Sequence, residues 1–212
     1  MKKFTRRALM AAGMTAALAG SATFAAAQDK IEINFSAVFS PQDIRAEMMK
    51  KFADAIGDDF AFNGYYGGTL FKQGTELVAL QRGNLEMGLI APQTIAEQIP
   101  EWSIVTSAYL FSDAAHLQAT FDSDVGDELK ALAADAGIHV LAPVYFGTRQ
   151  VNLAPEIDVQ TPEDLNGITM RMPGGDAWQF LGEAIGANPT PLAYAEVYTA
   201  LQTGAIDGQD NP

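Results

Sequence analysis

Two arginines stand where an α/β chain could use them to hold an acid. Arg171 sits near the end of a short β-like run, Ile168 to Met172, which is followed by Pro173-Gly174-Gly175 and a helix start. The crevice beyond the carboxyl end of a strand is where open α/β sheets bind ligands. A guanidinium there can fork onto a carboxylate, and the amides opening the next helix add positive potential nearby. Arg149 is similarly placed, just past the apolar run 138–146. Composition alone favours a plainer reading of each, a surface ion pair, because 26 acidic side chains are available as partners.

The other reactive residue types support no second chemistry. The sequence has no Gly-x-Ser-x-Gly elbow and no phosphate-binding glycine loop ending in Lys-Ser or Lys-Thr. Gly174-Gly175-Asp176 lacks the spacing of a dinucleotide fingerprint and reads as a glycine turn before a helix. His116 and His139 stand alone, without a second histidine three or four residues on to share a metal, and read as structural. Asp122-Ser123-Asp124-Val125-Gly126-Asp127 has its glycine one place too early for an EF-hand and lacks the distal glutamate, so helix capping explains it better. Cysteine is absent, which removes disulfides, thiol catalysis and cysteine metal sites. No metal and no cofactor is expected.

The elements that must position the arginines alternate in type. Lys30 to Ala37 alternates polar and apolar residues and predicts a strand. Ser40 and Pro41 predict a helix start, with Ile44, Met48, Phe52 and Ile56 inward and Gly57 as the stop. Strands are predicted at 60–63, 85–90, 104–110 and 138–146, the last at an edge or bulge because of Pro143. Helices are predicted at 75–82, 93–98 and through Val125, Leu129, Ala133 and Ala136 to Gly137. Further on, Thr161-Pro162 with Asp164 reads as a capped helix start, 168–172 as a strand with Arg171 opposite Met170 and Met172, and Asp176 as the start of a helix bearing Trp178, Leu181 and Ile185. Trp178 reads as core packing ahead of a cleft wall. Asn188-Pro189-Thr190-Pro191 reads as a stiff turn, and 195–203 as a helix stopped by Gly204. Strand and helix in alternation predict an α/β fold with largely parallel sheets.

Location follows from residues 1–27. Lys2, Lys3, Arg6 and Arg7 precede a short apolar run, Ala8 to Ala19, and Ala25-Ala26-Ala27 fits a cleavage site, so an exported protein starting at Gln28 is expected. Thr5-Arg6-Arg7 also fits a twin-arginine signal, leaving the export route open. Beyond that segment 9 basic side chains face 26 acidic ones, a formal charge of −17. Nucleic acid and anionic membrane surfaces are therefore poor partners and neither is expected, and an anionic small ligand must be held locally. No run approaches the roughly 20 apolar residues that span a bilayer, so no membrane insertion is expected.

Resemblance narrows the reading. Asn188-Pro189-Thr190-Pro191, Glu196-Val197-Tyr198-Thr199-Ala200-Leu201-Gln202-Thr203-Gly204 and Asp207-Gly208-Gln209-Asp210-Asn211-Pro212 resemble the signature of the solute receptors of TRAP transporters, the DctP-like family. Met170-Arg171-Met172-Pro173 resembles that family's strand bearing a carboxylate-binding arginine, and Gly147-Thr148-Arg149-Gln150 its second arginine segment. The resemblance implies a two-lobe periplasmic-binding-protein-like fold with the ligand in an interlobe cleft. It implies a signal peptide at 1–27, lobe I over 28–145 and the first part of lobe II over 146–212, with further sequence expected after Pro212. By the same resemblance Arg171 would clamp the carboxylate and Arg149 would approach the same end of the ligand. Asn211 would hydrogen-bond it, and Tyr194 would lie against its body. Gln93 stands in the first-lobe segment that varies with ligand, and Phe71-Lys72 replaces the glycine and acid that relatives often carry, so the particular acid stays open. The implied function is a periplasmic, monomeric receptor that hands a small organic acid to TRAP membrane subunits and catalyses nothing. A periplasmic enzyme acting on a carboxylate and a ligand-binding sensor subunit are the alternatives.

Overall fold

The computed structural model describes residues 30–212; the export segment expected at 1–27 lies outside the described residues. Strand β1, Ile31–Ser36, pairs in parallel with β2, Phe60–Tyr65, and with β3, Met87–Gly88, giving the order β2-β1-β3. The connection from β1 to β2 runs through helix α1, Ile44–Ala55. That helix begins three residues later than Ser40-Pro41 suggests. Asp43 caps it, accepting from the Arg45 amide at 2.9 Å while its carboxylate binds Arg45 Nε and Nη2 at 2.8 and 2.7 Å. The shift turns Ala46 and Met49 inward against Phe35 and Phe39, and leaves Ile44 75% exposed rather than in the core.

Helix α2, Glu76–Gln81, leads into β3, and α3, Pro92–Ala96, follows it. The strand expected at 104–110 is not formed. A 3-10 helix, Pro100–Thr106, occupies its start because Trp102 is drawn into a core with Phe121, Leu129 and Ala133, its Nε1 donating to the Leu129 carbonyl at 3.0 Å. Helices α4, Ala114–Phe121, and α5, Asp124–Asp135, close that core. Residues 138–146 also depart from expectation. Ile138 is buried, but Leu141 is 66% exposed and no strand of the described residues pairs with this stretch.

The second sheet has the order β4-β7-β5-β6, from β4 Gln150–Leu153, β7 Gly208–Asn211, β5 Thr169–Met172 and β6 Asn188–Pro191. Only β4 runs antiparallel in it. The capping box at Thr161 and Asp164 forms as the sequence predicts, on a 3-10 turn Pro162–Leu165. Met170 and Met172 pack with Trp178 of helix α6, Asp176–Ala184, so Trp178 is core. The stretch expected as a turn, 188–191, is instead β6. Asn188 and Leu192 donate to Ile168 and Met172, which sends Pro189 and Pro191 to the alternate positions, where a missing N–H faces the open edge. Helix α7, Val197–Thr203, ends at Gly204 with φ +70. Among the described residues no helix is long and apolar enough to cross a membrane.

Candidate functional site

Strand alternation buries Arg171. With Met170 and Met172 against α6, Arg171 takes the other face of β5, where it is 1% exposed and among the largest fully buried side chains. Its Nε donates to the Leu192 carbonyl at 2.8 Å, and its Nη2 to Gln73 Oε1 at 3.2 Å. Among the described residues no carboxylate lies within 4.0 Å of it. A buried guanidinium is normally paired, because desolvating a charge without a counter-charge is costly. Burial, assisted by the positive charge of Arg149, lowers the Arg171 pKa to about 10, while Asp210 and Tyr194 act against the shift. At neutral pH the side chain remains a cation.

Arg149 is placed differently from Arg171. Its Nε and Nη2 fork onto Asp210 at 2.7 and 2.6 Å, its Nη2 also reaches the Asp210 carbonyl, and its guanidinium lies 4.5 Å from the Trp178 ring. Asp210 is buried, and it alternates with Gln209, the register partner of Arg171. Arg149 therefore reaches Arg171 as a nearby charge with its own carboxylate in hand. Asn211 lies two residues beyond Gln209 and so shares the Arg171 face, with its Nδ2 donating to Gln209 Oε1 at 2.8 Å.

Tyr194 opens a 3-10 turn, Tyr194–Glu196, with its ring 5.7 Å from the Arg171 guanidinium. The ring packs on the first sheet's Phe35 and Phe39 cluster. Its backbone N–H donates to Gln73 Oε1 at 2.8 Å. Gln73 carries no motif, and sequence reading misses it. Only the fold brings it 98 and 121 residues along the chain to Arg171 and Tyr194. A pinned turn aims it. Gly74, at φ +89, donates to Glu76 Oε2 at 2.8 Å, and Thr75 Oγ1 donates to the Lys72 carbonyl at 2.8 Å. Glu76 is buried in this turn, and burial raises its pKa against the opposing effect of the backbone amides it accepts from.

Gln73 also lines a cleft of about 670 Å³, together with Gln93 and Glu97 on one side and Pro173, Gly174 and Asp176 on the other. Gln93 is thus in the cleft, at the start of α3, whereas Arg171, Tyr194, Arg149 and Asn211 do not line it. Gln73 touches both regions. Among the described residues no cluster of histidine and acids could hold a metal ion. His116 is exposed on α4 with its ring beside Ser112, not at Arg171.

The model of the bacterial extracellular solute-binding proteins, family 7 (DctP), matches residues 35–212. A solute-binding protein of Verminephrobacter eiseniae is 32% identical over 190 residues, 89% of this chain and 56% of that protein. The 2,3-diketo-L-gulonate-binding periplasmic protein YiaO of Escherichia coli is 30% identical over 200 residues, 92% of this chain and 61% of that protein. A crystal structure of a TRAP periplasmic solute-binding protein from Roseobacter denitrificans with bound 3-deoxy-D-manno-oct-2-ulosonic acid superposes with TM-score 0.84 at 44% identity, covering 87% of this chain and 62% of that one. Another, from Sulfurospirillum deleyianum with bound succinate, gives TM-score 0.78 at 27% identity, covering 86% and 60%. The chain spans 56% and 61% of the length of the two relatives above, and its two sheets belong to a two-lobe α/β fold. The chain belongs to the bacterial extracellular solute-binding proteins of family 7.

Proposed function

We propose that this protein is an extracytoplasmic solute receptor that binds a small organic acid and delivers it to the membrane subunits of a TRAP transporter, catalysing no reaction. The observation that carries the reading is Arg171, a guanidinium 1% exposed and without a carboxylate within 4.0 Å among the described residues. A desolvated cation held by a carbonyl and an amide oxygen keeps its charge available for a ligand carboxylate. Arg149, forked onto Asp210, would approach the same end of the ligand in this reading, with Arg171 carrying the unpaired charge. Asn211 shares the face of Arg171 and supplies an amide, and Tyr194 supplies an aromatic wall. Gln93 lines the adjoining cleft that Gln73 connects to Arg171, and would meet the part of the ligand that extends into it. In this reading residues 28–145 build lobe I, 146–212 contribute to lobe II, and residues 1–27 direct export to the periplasm, where the receptor acts as a monomer.

The ligand class is supported by relatives whose names and bound molecules are acids: 2,3-diketo-L-gulonate, 3-deoxy-D-manno-oct-2-ulosonic acid and succinate. A thermal-shift screen of sugar acids, oxo acids and dicarboxylates, with neutral sugars as controls, tests it. Stabilisation by one or a few acids and by no neutral sugar is expected. Stabilisation by neutral sugars alone would overturn the reading.

A further inference from the structure

This inference rests on Arg171 as the carboxylate anchor and concerns the group that meets the anchor within the chain itself. One oxygen atom, Gln73 Oε1, accepts from two donors: Arg171 Nη2 at 3.2 Å and the Tyr194 N–H at 2.8 Å. An oxygen on an sp² carbon, held between a guanidinium and an amide N–H, is what one arm of a bound carboxylate would present. Gln73 supplies that shape without the charge. The turn that carries it is held independently by Glu76 and by the Thr75 to Lys72 contact, so the Gln73 side chain is not needed to keep the turn. The side chain is partly exposed and borders the cleft, which gives it somewhere to go.

We infer that Gln73 is an internal stand-in for the ligand: its amide oxygen occupies the carboxylate-oxygen position, and an incoming organic acid takes over both donors as Gln73 swings toward the cleft. The Tyr194 backbone N–H is then a ligand contact in its own right, beside the Tyr194 ring. Exchange runs toward the acid because its ionised oxygen forms an ion pair with Arg171 and a charge-assisted bond with the Tyr194 N–H, where the neutral Gln73 amide offers the first no counter-charge and the second only a neutral bond. The affinity is nevertheless set lower than Arg171 alone would give, since two hydrogen bonds must be surrendered first. Gln73 therefore tunes release as well as capture, which suits a receptor that must hand its ligand on.

The test compares Gln73→Ala and Gln73→Glu with the parent by calorimetry, using as probe the tightest binder among 3-deoxy-D-manno-oct-2-ulosonic acid, D-galacturonate and succinate, and records unliganded melting temperatures. Removing the competitor should tighten binding about threefold to tenfold in Gln73→Ala, because the bonds from Arg171 and from the Tyr194 N–H no longer have to be broken. In Gln73→Glu the stand-in gains the missing charge. The unliganded melting temperature should rise and affinity should fall at least about 30-fold, because the probe must now displace an ion pair. Binding in Gln73→Ala that is equal to or weaker than in the parent, or parental affinity in Gln73→Glu, would overturn the inference while leaving the receptor reading intact. A parent that binds none of the three acids would instead remove the reading on which it rests.

Discussion

Replacing Arg171 with methionine should separate ligand binding from folding, which an ordinary ion pair could not do. Methionine keeps the volume and loses the charge. In the unliganded protein the change leaves the Leu192 carbonyl without its donor, while Gln73 Oε1 keeps the Tyr194 N–H. One orphaned buried acceptor costs about 1–3 kcal/mol. Against this, the variant no longer desolvates a cation that has no carboxylate within 4.0 Å among the described residues, a penalty of several kcal/mol in the parent. The two effects oppose each other, so stability should fall by no more than about 1 kcal/mol, or about 2–4 °C in melting temperature for a chain of this size. Binding has no such compensation. A ligand carboxylate left without its buried partner loses about 2–5 kcal/mol, a factor of about 30 to several thousand in affinity. Arg171→Lys should weaken binding at least about tenfold, since a point charge cannot reproduce a planar fork. Calorimetric titration with an organic acid and scanning calorimetry without it read the two quantities. Affinity within about threefold of the parent in Arg171→Met, or a melting temperature lower by more than about 10 °C, would make Arg171 a structural residue and not the anchor.

Burial raises the Glu76 pKa above its ordinary value of 4.5, so ionisation of this side chain opposes folding, and its contribution is lost as pH rises above the carboxylate range. Glu76→Gln should therefore melt above the parent at pH 8, with the difference shrinking at pH 4; a pH-independent difference in scanning calorimetry would count against this. Gly182 lies where α6 crosses β6, and a Cβ there would stand 2.6 Å from Pro189 Cβ and 3.1 Å from Met172 Cε. Gly182→Ala should overpack the contact and cost about 1–3 kcal/mol in urea unfolding. Trp178 lies under the Arg149 guanidinium and Trp102 is buried in a separate core. In a Trp102→Phe variant the remaining fluorescence should respond to an acid ligand, and an unchanged spectrum at saturation would place the ligand away from Arg149.

Legibility in the sequence followed the range of the forces involved. The face of β5 that carries Arg171 was readable because strand alternation is local, and the turn at Thr161 was readable because its capping box lies within four residues. β6 was not, because two prolines read as a turn until the edge of the sheet is known; only there can their missing N–H groups face outward. Residues 104–110 misled because a short apolar run has no decisive period, and Trp102 pulled the preceding residues into a 3-10 helix. At α1 the start was misread because the Asp43 to Arg45 contacts outweigh the Ser40-Pro41 signal. In the site, Arg171 had a signal in its strand-end position. Gln73 had none, since its partners lie 98 and 121 residues away and only the packing of the two sheets brings them together.

The central claim, that a buried guanidinium awaits a ligand carboxylate, is tested most directly by a crystal structure with a bound organic acid chosen by calorimetry. Both carboxylate oxygens should lie on Arg171, one of them also accepting from the Tyr194 N–H, with Gln73 Oε1 moved out of hydrogen-bond reach. A tightly bound acid whose carboxylate sits elsewhere, with the Gln73 to Arg171 hydrogen bond intact, would contradict it.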